Sequence, residues 1–356
     1  MSRRHIHYWK CDRRAAFFGT ASNQALSSEL RARLEEELRL ALACPELRLS
    51  QGPGLGNHLT FLAIGPLTEA FIRVEHGPEQ DDHLAIESQL LDAVRGCGVR
   101  TPRVLACDAS RSRLPLAWQA LEWIKAPALS SLPAPPQPQR ARWFTQIGEA
   151  IARWQTLKFP GFGIIEKGLT GGHPCLRDYF FLKLQEHLWQ LQQGGLLCGS
   201  EPQQIQDLIR QHAALLDLGV GCLVHKDLAL WNILGREEGI EAFIDFDDAI
   251  IGDPMDDFSL LGCFHEAASV QLALDAAQQL RPHPTDFRRR FWLHLLRNLI
   301  IKAVIRQGSG YFSGNAPAFL GGRDAAQELR RQTLRLLNLA ASGLEGDLPI
   351  THLDRD

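Results

Sequence analysis

The chain of 356 residues is 45% hydrophobic and 22% charged, the balance of a globular protein long enough for two lobes with separate apolar interiors. A formal charge of -3 carries no polyelectrolyte signature, so nucleic acid is not expected as a partner. No stretch approaches the roughly 18 charge-free apolar residues of a membrane helix, and eight cysteines without a C-x-x-C pair or a Cys/His cluster read as reduced thiols of a soluble cytoplasmic protein rather than as a zinc site.

In chain order, residues 1–21 are basic and aromatic, without the uninterrupted apolar core of a secretory signal, and are expected to form a loosely packed arm. From Ser27 to Ala43 the residues Leu30, Leu34, Leu38 and Leu42 recur every fourth position with charges between them, the period of an amphipathic helix. Arm and helix make an N-terminal extension over residues 1–45. Short apolar runs at 47–50, 59–64, 70–75, 103–107 and 117–124, punctuated by Gly and Pro, predict strands, with one helix near 79–95 that Cys97-Gly98 terminates. This is a β-rich lobe over 46–124.

Beyond the Pro-rich stretch 132–138 the period turns helical. Helices are predicted near 139–157, 177–194, 201–217, 257–280, 284–307 and 323–342, interrupted by strand-like runs at 222–224, 232–234 and 240–246 around the turn Gly235–Gly239. A larger helical lobe over 125–345 and a tail over 346–356 complete the reading.

The chemistry concentrates in Val224–Leu234 and in Phe243-Ile244-Asp245-Phe246. Phosphoryl transfer from ATP needs a carboxylate that orients the acceptor hydroxyl and takes its proton, and oxygen ligands that hold Mg²⁺ on the phosphates. In His225-x-Asp227-x-x-x-x-Asn232, Asp227 fits the first role and Asn232 the second, and Asp245, one hairpin later, supplies another oxygen. Magnesium is satisfied by one amide and one carboxylate together with phosphates and water, so no dedicated protein cage is required.

With the run Ile244-Asp245-Phe246-Asp247-Asp248-Ala249 leading into Gly252-Asp253-Pro254 and Asp256-Asp257, the segment from Val224 to Leu260 resembles the aminoglycoside phosphotransferase and choline kinase branch of the protein-kinase-like superfamily. The resemblance implies an α+β bilobal protein-kinase-like fold. It has a small antiparallel N-lobe sheet with one helix and a larger helical C-lobe, and the activity is an ATP- and Mg²⁺-dependent small-molecule kinase. It makes His225 a brace beneath the loop and Asp257 the carboxylate that holds the loop backbone. Two positions depart from the family pattern: Lys226 stands for its usual Gly and Ala229 for its second His. Lys226 is expected to set a cation beside Asp227 and favour its ionised form.

The same resemblance assigns the nucleotide side. Gly56-Asn57-x-x-x-Phe61 is similar to the family's nucleotide loop, which makes Asn57 a candidate contact. Arg73 stands where such kinases carry the phosphate-binding Lys. Glu87, on the apolar stripe of its helix, needs a buried partner that Arg73 can provide. Gln119–Pro127 resembles the hinge, where backbone groups of Glu122 and Ile124 would meet the adenine edge.

Only a few residues separate Asp245 from Gly252-Asp253-Pro254, which leaves no room for the long activation segment on which protein kinases dock peptides. The expected partner is therefore a small-molecule hydroxyl acceptor: a sugar-like metabolite, an amino alcohol or an aminoglycoside-type antibiotic. From Arg281 to Leu337 there are 11 Lys or Arg against 3 Asp or Glu, a balance that disfavours a polycationic acceptor. The alternative reading, suggested by Arg73 and Lys226, is a catalytically silent kinase-like nucleotide- or ligand-binding module.

Overall fold

The computed structural model describes residues 3–12, 26–53, 58–75, 82–133, 135–313 and 322–354. After a short helix α1 (Trp9–Asp12), the amphipathic repeat forms α2 (Ser28–Ala41), started by Ser27, whose hydroxyl accepts from the Leu30 N–H at 3.1 Å. The Gly/Pro-punctuated runs form β1 (Arg48–Gln51), β2 (Leu59–Ile64) and β3 (Glu69–Glu75). Helix α3 (His83–Gly96) follows, then β4 (Val104–Asp108) and β5 (Ala117–Glu122). These strands make one antiparallel sheet in the order β1-β2-β3-β5-β4.

The pleat sends successive side chains of β3 to opposite faces. Ala70, Ile72 and Val74 join Phe61, Trp118 and the α2 residues Leu34 and Leu38 in one apolar cluster. Phe71 and Arg73, one position out of phase, face a cavity on the other side.

The helical lobe begins with α4 (Gln137–Trp154). The two helices predicted at 177–194 and 257–280 are each divided. The first becomes α5 (Leu176–Phe181) and α6 (Leu184–Gln193), broken at Lys183 with φ 60°. The second becomes α8 (Met255–Gly262) and α9 (Ala267–Leu280); between these pairs lies α7 (Glu201–Gln211). Helix α10 (Phe287–Gly308), buried without a break from Phe291 to Val304, is the lobe's axis, and α11 (Gly322–Gly346) packs along it. Helices α4 and α9 approach so closely that a Cβ at Gly148 would lie 2.0 Å from the Ala273 carbonyl oxygen, so only glycine fits there.

A second sheet, β7 (Thr170–His173), β6 (Phe162–Glu166), β11 (Ile250–Gly252) and β8 (Cys222–Val224) in that order, underlies the segment from His225 to Asn232. A hairpin of β9 (Ile233–Arg236) and β10 (Gly239–Phe243) extends from it. Of the sheet's four strands only β8 was predicted. The others are short and glycine-rich, and Gly163 sits mid-strand at φ 87°, so no alternation develops.

The N-terminal arm departs most from expectation. Residues 3–12 are docked, not loose: Ile6, Tyr8, Trp9 and Cys11 are buried in the main apolar cluster. Arg3 donates to the Ile165 carbonyl at 2.6 Å and pairs with Asp82 at the start of α3. Trp9 stacks edge-on against His83, with ring centroids 4.2 Å apart. The arm is therefore a strap tied to both lobes. Its polar groups find partners that local sequence could not show. At the other end, Ile350 and Leu353 are buried, and the Asp354 carboxylate accepts from the Ala267 N–H at 2.8 Å, at the start of α9. Among the described residues no helix is long and apolar enough to cross a membrane.

Candidate active site

The hairpin register assembles the centre. Phe243 pairs with Ile233, and the Ile244 N–H donates to the Asn232 carbonyl at 3.0 Å, so β10 returns Asp245 to the side of Asn232. Beneath the loop, the Asp257 carboxylate accepts from the N–H groups of His225 (3.1 Å) and Lys226 (3.2 Å) and from the Trp154 indole (3.0 Å). His225 Nε2 lies 3.0 Å from the Ile244 carbonyl oxygen and ties the loop to the returning strand. Lys226 and Asp245 both adopt left-handed backbone, at φ 67° and 68°. Such conformations cost about 1–3 kcal/mol each in a non-glycine residue and persist where the surroundings hold them.

Lys226 corrects an expectation. Its ammonium group is not beside Asp227 but behind the loop, 2.8 and 2.9 Å from the two oxygens of Asp256 and 2.8 Å from Asn298 Oδ1. The left-handed turn directs the side chain into the helical lobe, where a buried carboxylate waits. The cations on Asp227 come from elsewhere: Lys302 Nζ lies 3.0 Å from Oδ1 and Lys10 Nζ 3.2 Å from Oδ2. Burial alone would push the Asp227 carboxyl up; Lys10 and Lys302 outweigh it and hold the group well below the usual carboxylate range.

Asn232 donates its amide N–H to the Asp227 carbonyl (2.8 Å) and carboxylate (3.3 Å), which leaves its amide oxygen as the acceptor atom. On the other side, the expected Arg73–Glu87 pair is present and buried, and the second arm of the guanidinium rests on Asp245 (2.8 Å) and Asp247 (3.2 Å). Glu87 also accepts from the Phe246 N–H at 3.1 Å, so α3 positions the Asp245 turn. Burial pushes Glu87 up to about 7 against the pull of Arg73, with Asp247 and Asp245 adding to the rise. Burial and Asp247 likewise raise Asp245. For Asp247 burial is outweighed by His58, at 3.3 Å, and by Arg73, which hold it well below its ordinary value.

Glu122 and Ile124 line the same cavity as Arg73, Asp227, Asn232 and Asp245, a space of about 1100 Å³. The Glu122 N–H is spent on the Arg103 carbonyl at 2.8 Å and its carboxylate on Arg100 and Arg103, so a ligand would meet a different group of this residue. Asn57 lies outside the described residues. Among those described, no group of three or more His, Cys, Asp or Glu could hold a metal ion unaided. The oxygens of Asn232 and Asp245 fit a hard divalent cation that draws its remaining ligands from phosphate and water.

Sequence reasoning placed Asp248 among the acidic groups near the site but missed Tyr8, Lys10, His58 and Lys302. Lys302 did carry a signal, since a lysine within the apolar run of a buried helix needs a charged partner. Lys10 and Tyr8 carried none.

A family model described as the phosphotransferase enzyme family matches residues 52–292. No curated protein matches the chain at a significant level. Solved structures share its fold. One, from Ralstonia eutropha JMP134, was assigned as an aminoglycoside phosphotransferase and is 18% identical, with a TM-score of 0.64 over 88% of this chain and 98% of its own. A thermostable mutant of aminoglycoside phosphotransferase APH(4)-Ia, in ternary complex with AMP-PNP and hygromycin B, is 17% identical (TM-score 0.60; 87% and 99% covered). A protein from Thermobifida fusca assigned as a fructosamine-3-kinase is also 17% identical (TM-score 0.59; 86% and 98%). A bilobal kinase-like fold and a catalytic segment inside the matched region lead to one conclusion: the chain belongs to the phosphotransferase enzyme family and is a small-molecule kinase.

Proposed function

We propose that the protein transfers the γ-phosphoryl group of ATP, in the presence of Mg²⁺, to a hydroxyl of a small molecule. The observation that carries the reading is the gathering of Asp227, Asn232 and Asp245 on one cavity, with Arg73 reaching Asp245 from the sheet lobe. Asp227 orients the acceptor hydroxyl and takes its proton. Because two ammonium groups keep it ionised, it is chiefly an orienting group, which suits a loose transition state dominated by positioning. The amide oxygen of Asn232 and the carboxylate of Asp245 would hold Mg²⁺, which neutralises charge on the transferring group when bound. Arg73, steadied by Glu87, brings positive charge toward the phosphates, and backbone groups of Glu122 and Ile124, together with Asn57, meet the nucleotide.

The AMP-PNP and hygromycin B complex of a protein with the same fold supports a nucleotide beside a small-molecule acceptor. The reading of a silent module loses one of its two motives, because Lys226 is neutralised by Asp256 away from the loop face.

Assay of ADP release against a panel of hydroxyl compounds tests the proposal. Asp227→Ala should lower turnover by about 10²–10⁴-fold with Mg-ATP affinity retained in calorimetry; unchanged turnover would remove Asp227 from the mechanism. Asp245→Ala should weaken Mg-ATP binding, and equal affinity would contradict its assignment as a ligand.

A further inference from the structure

The acceptor half of the cavity has a charge pattern that the transfer of phosphate does not itself require. Lys302 and Arg306 stand four residues apart on α10, hence on one face and about 6 Å apart along the axis. Lys302 is committed to Asp227. Arg306 is half-buried and lines the same cavity; its Nη1 donates to the Thr333 hydroxyl at 2.9 Å, and no carboxylate among the described residues pairs with it. Burial lowers its pKa, the mark of a guanidinium short of a counter-charge.

Lys10 adds a third cation, and the fold fixes its place. Asp12, two residues on in the strap, accepts from the N–H groups of His7 (2.7 Å) and Tyr8 (3.1 Å) and faces His187 at 2.9 Å. The Tyr8 hydroxyl donates to Asp248 at 2.8 Å. Trp231 and Phe264 complete the wall. The acids of this half, Asp227 and Asp248, are already engaged: Lys302 and Lys10 occupy the oxygens of Asp227, and Asp248 takes the Tyr8 hydroxyl and lies 3.4 Å from Lys10 Nζ.

A polycation entering here would bring its charges against three fixed ones. An anion would supply the partner that Arg306 lacks. We propose that the acceptor is an anionic alcohol, whose carboxylate or phosphate docks on Arg306 and Lys10 while its hydroxyl, about one helical turn away, meets Asp227. This rests on the phosphoryl-transfer reading above and names its acceptor class.

The test uses the full chain and matched pairs of probes with Mg-ATP: glycerate against glycerol, glucose 6-phosphate against glucose, and a polycationic aminoglycoside. The anionic member of a pair should show kcat/KM at least about tenfold higher, and the carboxylate and phosphate arms identify which anion is read. Arg306→Gln should raise the acceptor KM by about tenfold while the KM for ATP stays within about twofold, and Arg306→Lys should restore part of the loss. Lys10→Met, on the strap, should move the same constant in the same direction.

The proposal is overturned if neutral or cationic alcohols serve as well as anionic ones. It is also overturned if Arg306→Gln lowers kcat equally for every acceptor, because the cations would then serve the transferring group. A second readout is independent of turnover: with Mg-ADP bound, the anionic probes should raise the melting temperature of the wild type but not of Arg306→Gln, and no rise with any of them sinks the proposal. Failure of Mg-ATP to bind in calorimetry would instead defeat the phosphoryl-transfer reading and leave the anion-dependent melting shift as a separate result.

Discussion

The two halves of the cavity neutralise their charges by different means. On the nucleotide side one guanidinium, Arg73, serves three carboxylates, Glu87, Asp245 and Asp247, with His58 assisting at Asp247. On the acceptor side cations outnumber acids: Lys10 and Lys302 share Asp227, Lys10 also meets Asp248, and no carboxylate among the described residues pairs with Arg306. The first half is short of positive charge until a cation arrives, which suits a metal–nucleotide complex. The second is short of negative charge until a ligand arrives. A site divided this way can hold a metal-bound phosphate and a separate anion without either intruding on the other's subsite.

Arg73→Gln should have the largest effect on this contrast. It strips the shared guanidinium from three partly or fully buried carboxylates, and breaking such a network from one side costs about 3–5 kcal/mol. Denaturant unfolding at neutral pH should show that loss together with weakened Mg-ATP binding. Lys302→Met removes a cation from the half that has a surplus, leaving Lys10 on Asp227, and should cost clearly less. Equal losses for the two variants would erase the distinction between the halves.

A smaller effect isolates the backbone beneath both halves. Lys226 occupies φ 67°, where an L side chain is strained, and Asp256 and Asn298 retain it there. Lys226→Gly and Lys226→Ala both abandon Asp256, so that shared loss cancels between them. Glycine relieves the left-handed strain and alanine does not, so the glycine variant should be the more stable by about 1 kcal/mol. If alanine were as stable as glycine, the strain assigned to this turn would be absent.

The loop between the halves and the nucleotide half were legible in the sequence because their determinants are local. Asp227, Asn232 and Asp245 lie within one loop and hairpin, and Glu87 betrayed itself as a charge on an apolar helical stripe. The sheet lobe was legible for a related reason, since β2, β3 and β5 are short apolar runs set between Gly and Pro, with alternation clear on β3. The strands β6, β7 and β11 were not, because positive-φ glycines at 161 and 163 and a three-residue length erase the period. The acceptor half was hidden by sequence distance: Lys10 reaches Asp227 across 217 positions and Lys302 across 75. Nothing near either lysine specifies its partner; the packing of the strap and of α10 does. Lys226 misled for the opposite reason, since adjacency to Asp227 in sequence suggested a contact that its left-handed backbone prevents.

The smallest expected effect probes how the strap is hooked to the site. Asp248 accepts from the Tyr8 hydroxyl and lies 3.4 Å from Lys10 Nζ. Burial raises its pKa from 3.8 to about 6; Lys10 opposes the rise, while Asp247 and Asp227 add to it. In the unfolded chain the same carboxyl titrates near its ordinary value. Between about pH 4 and 6 the native state therefore holds a proton that the unfolded state has released. By linkage the wild type gains stability from this group as pH falls through 6, and forgoes that gain above it. Asp248→Asn keeps an acceptor for Tyr8 and lacks the titration. Relative to wild type, its melting temperature should be higher at pH 8 than at pH 5, by about 1–3 °C for a domain of this size. A difference that stays flat across this range would mean that Asp248 is not buried against the strap as described. A trend of opposite sign would mean that its attraction to Lys10 outweighs its burial.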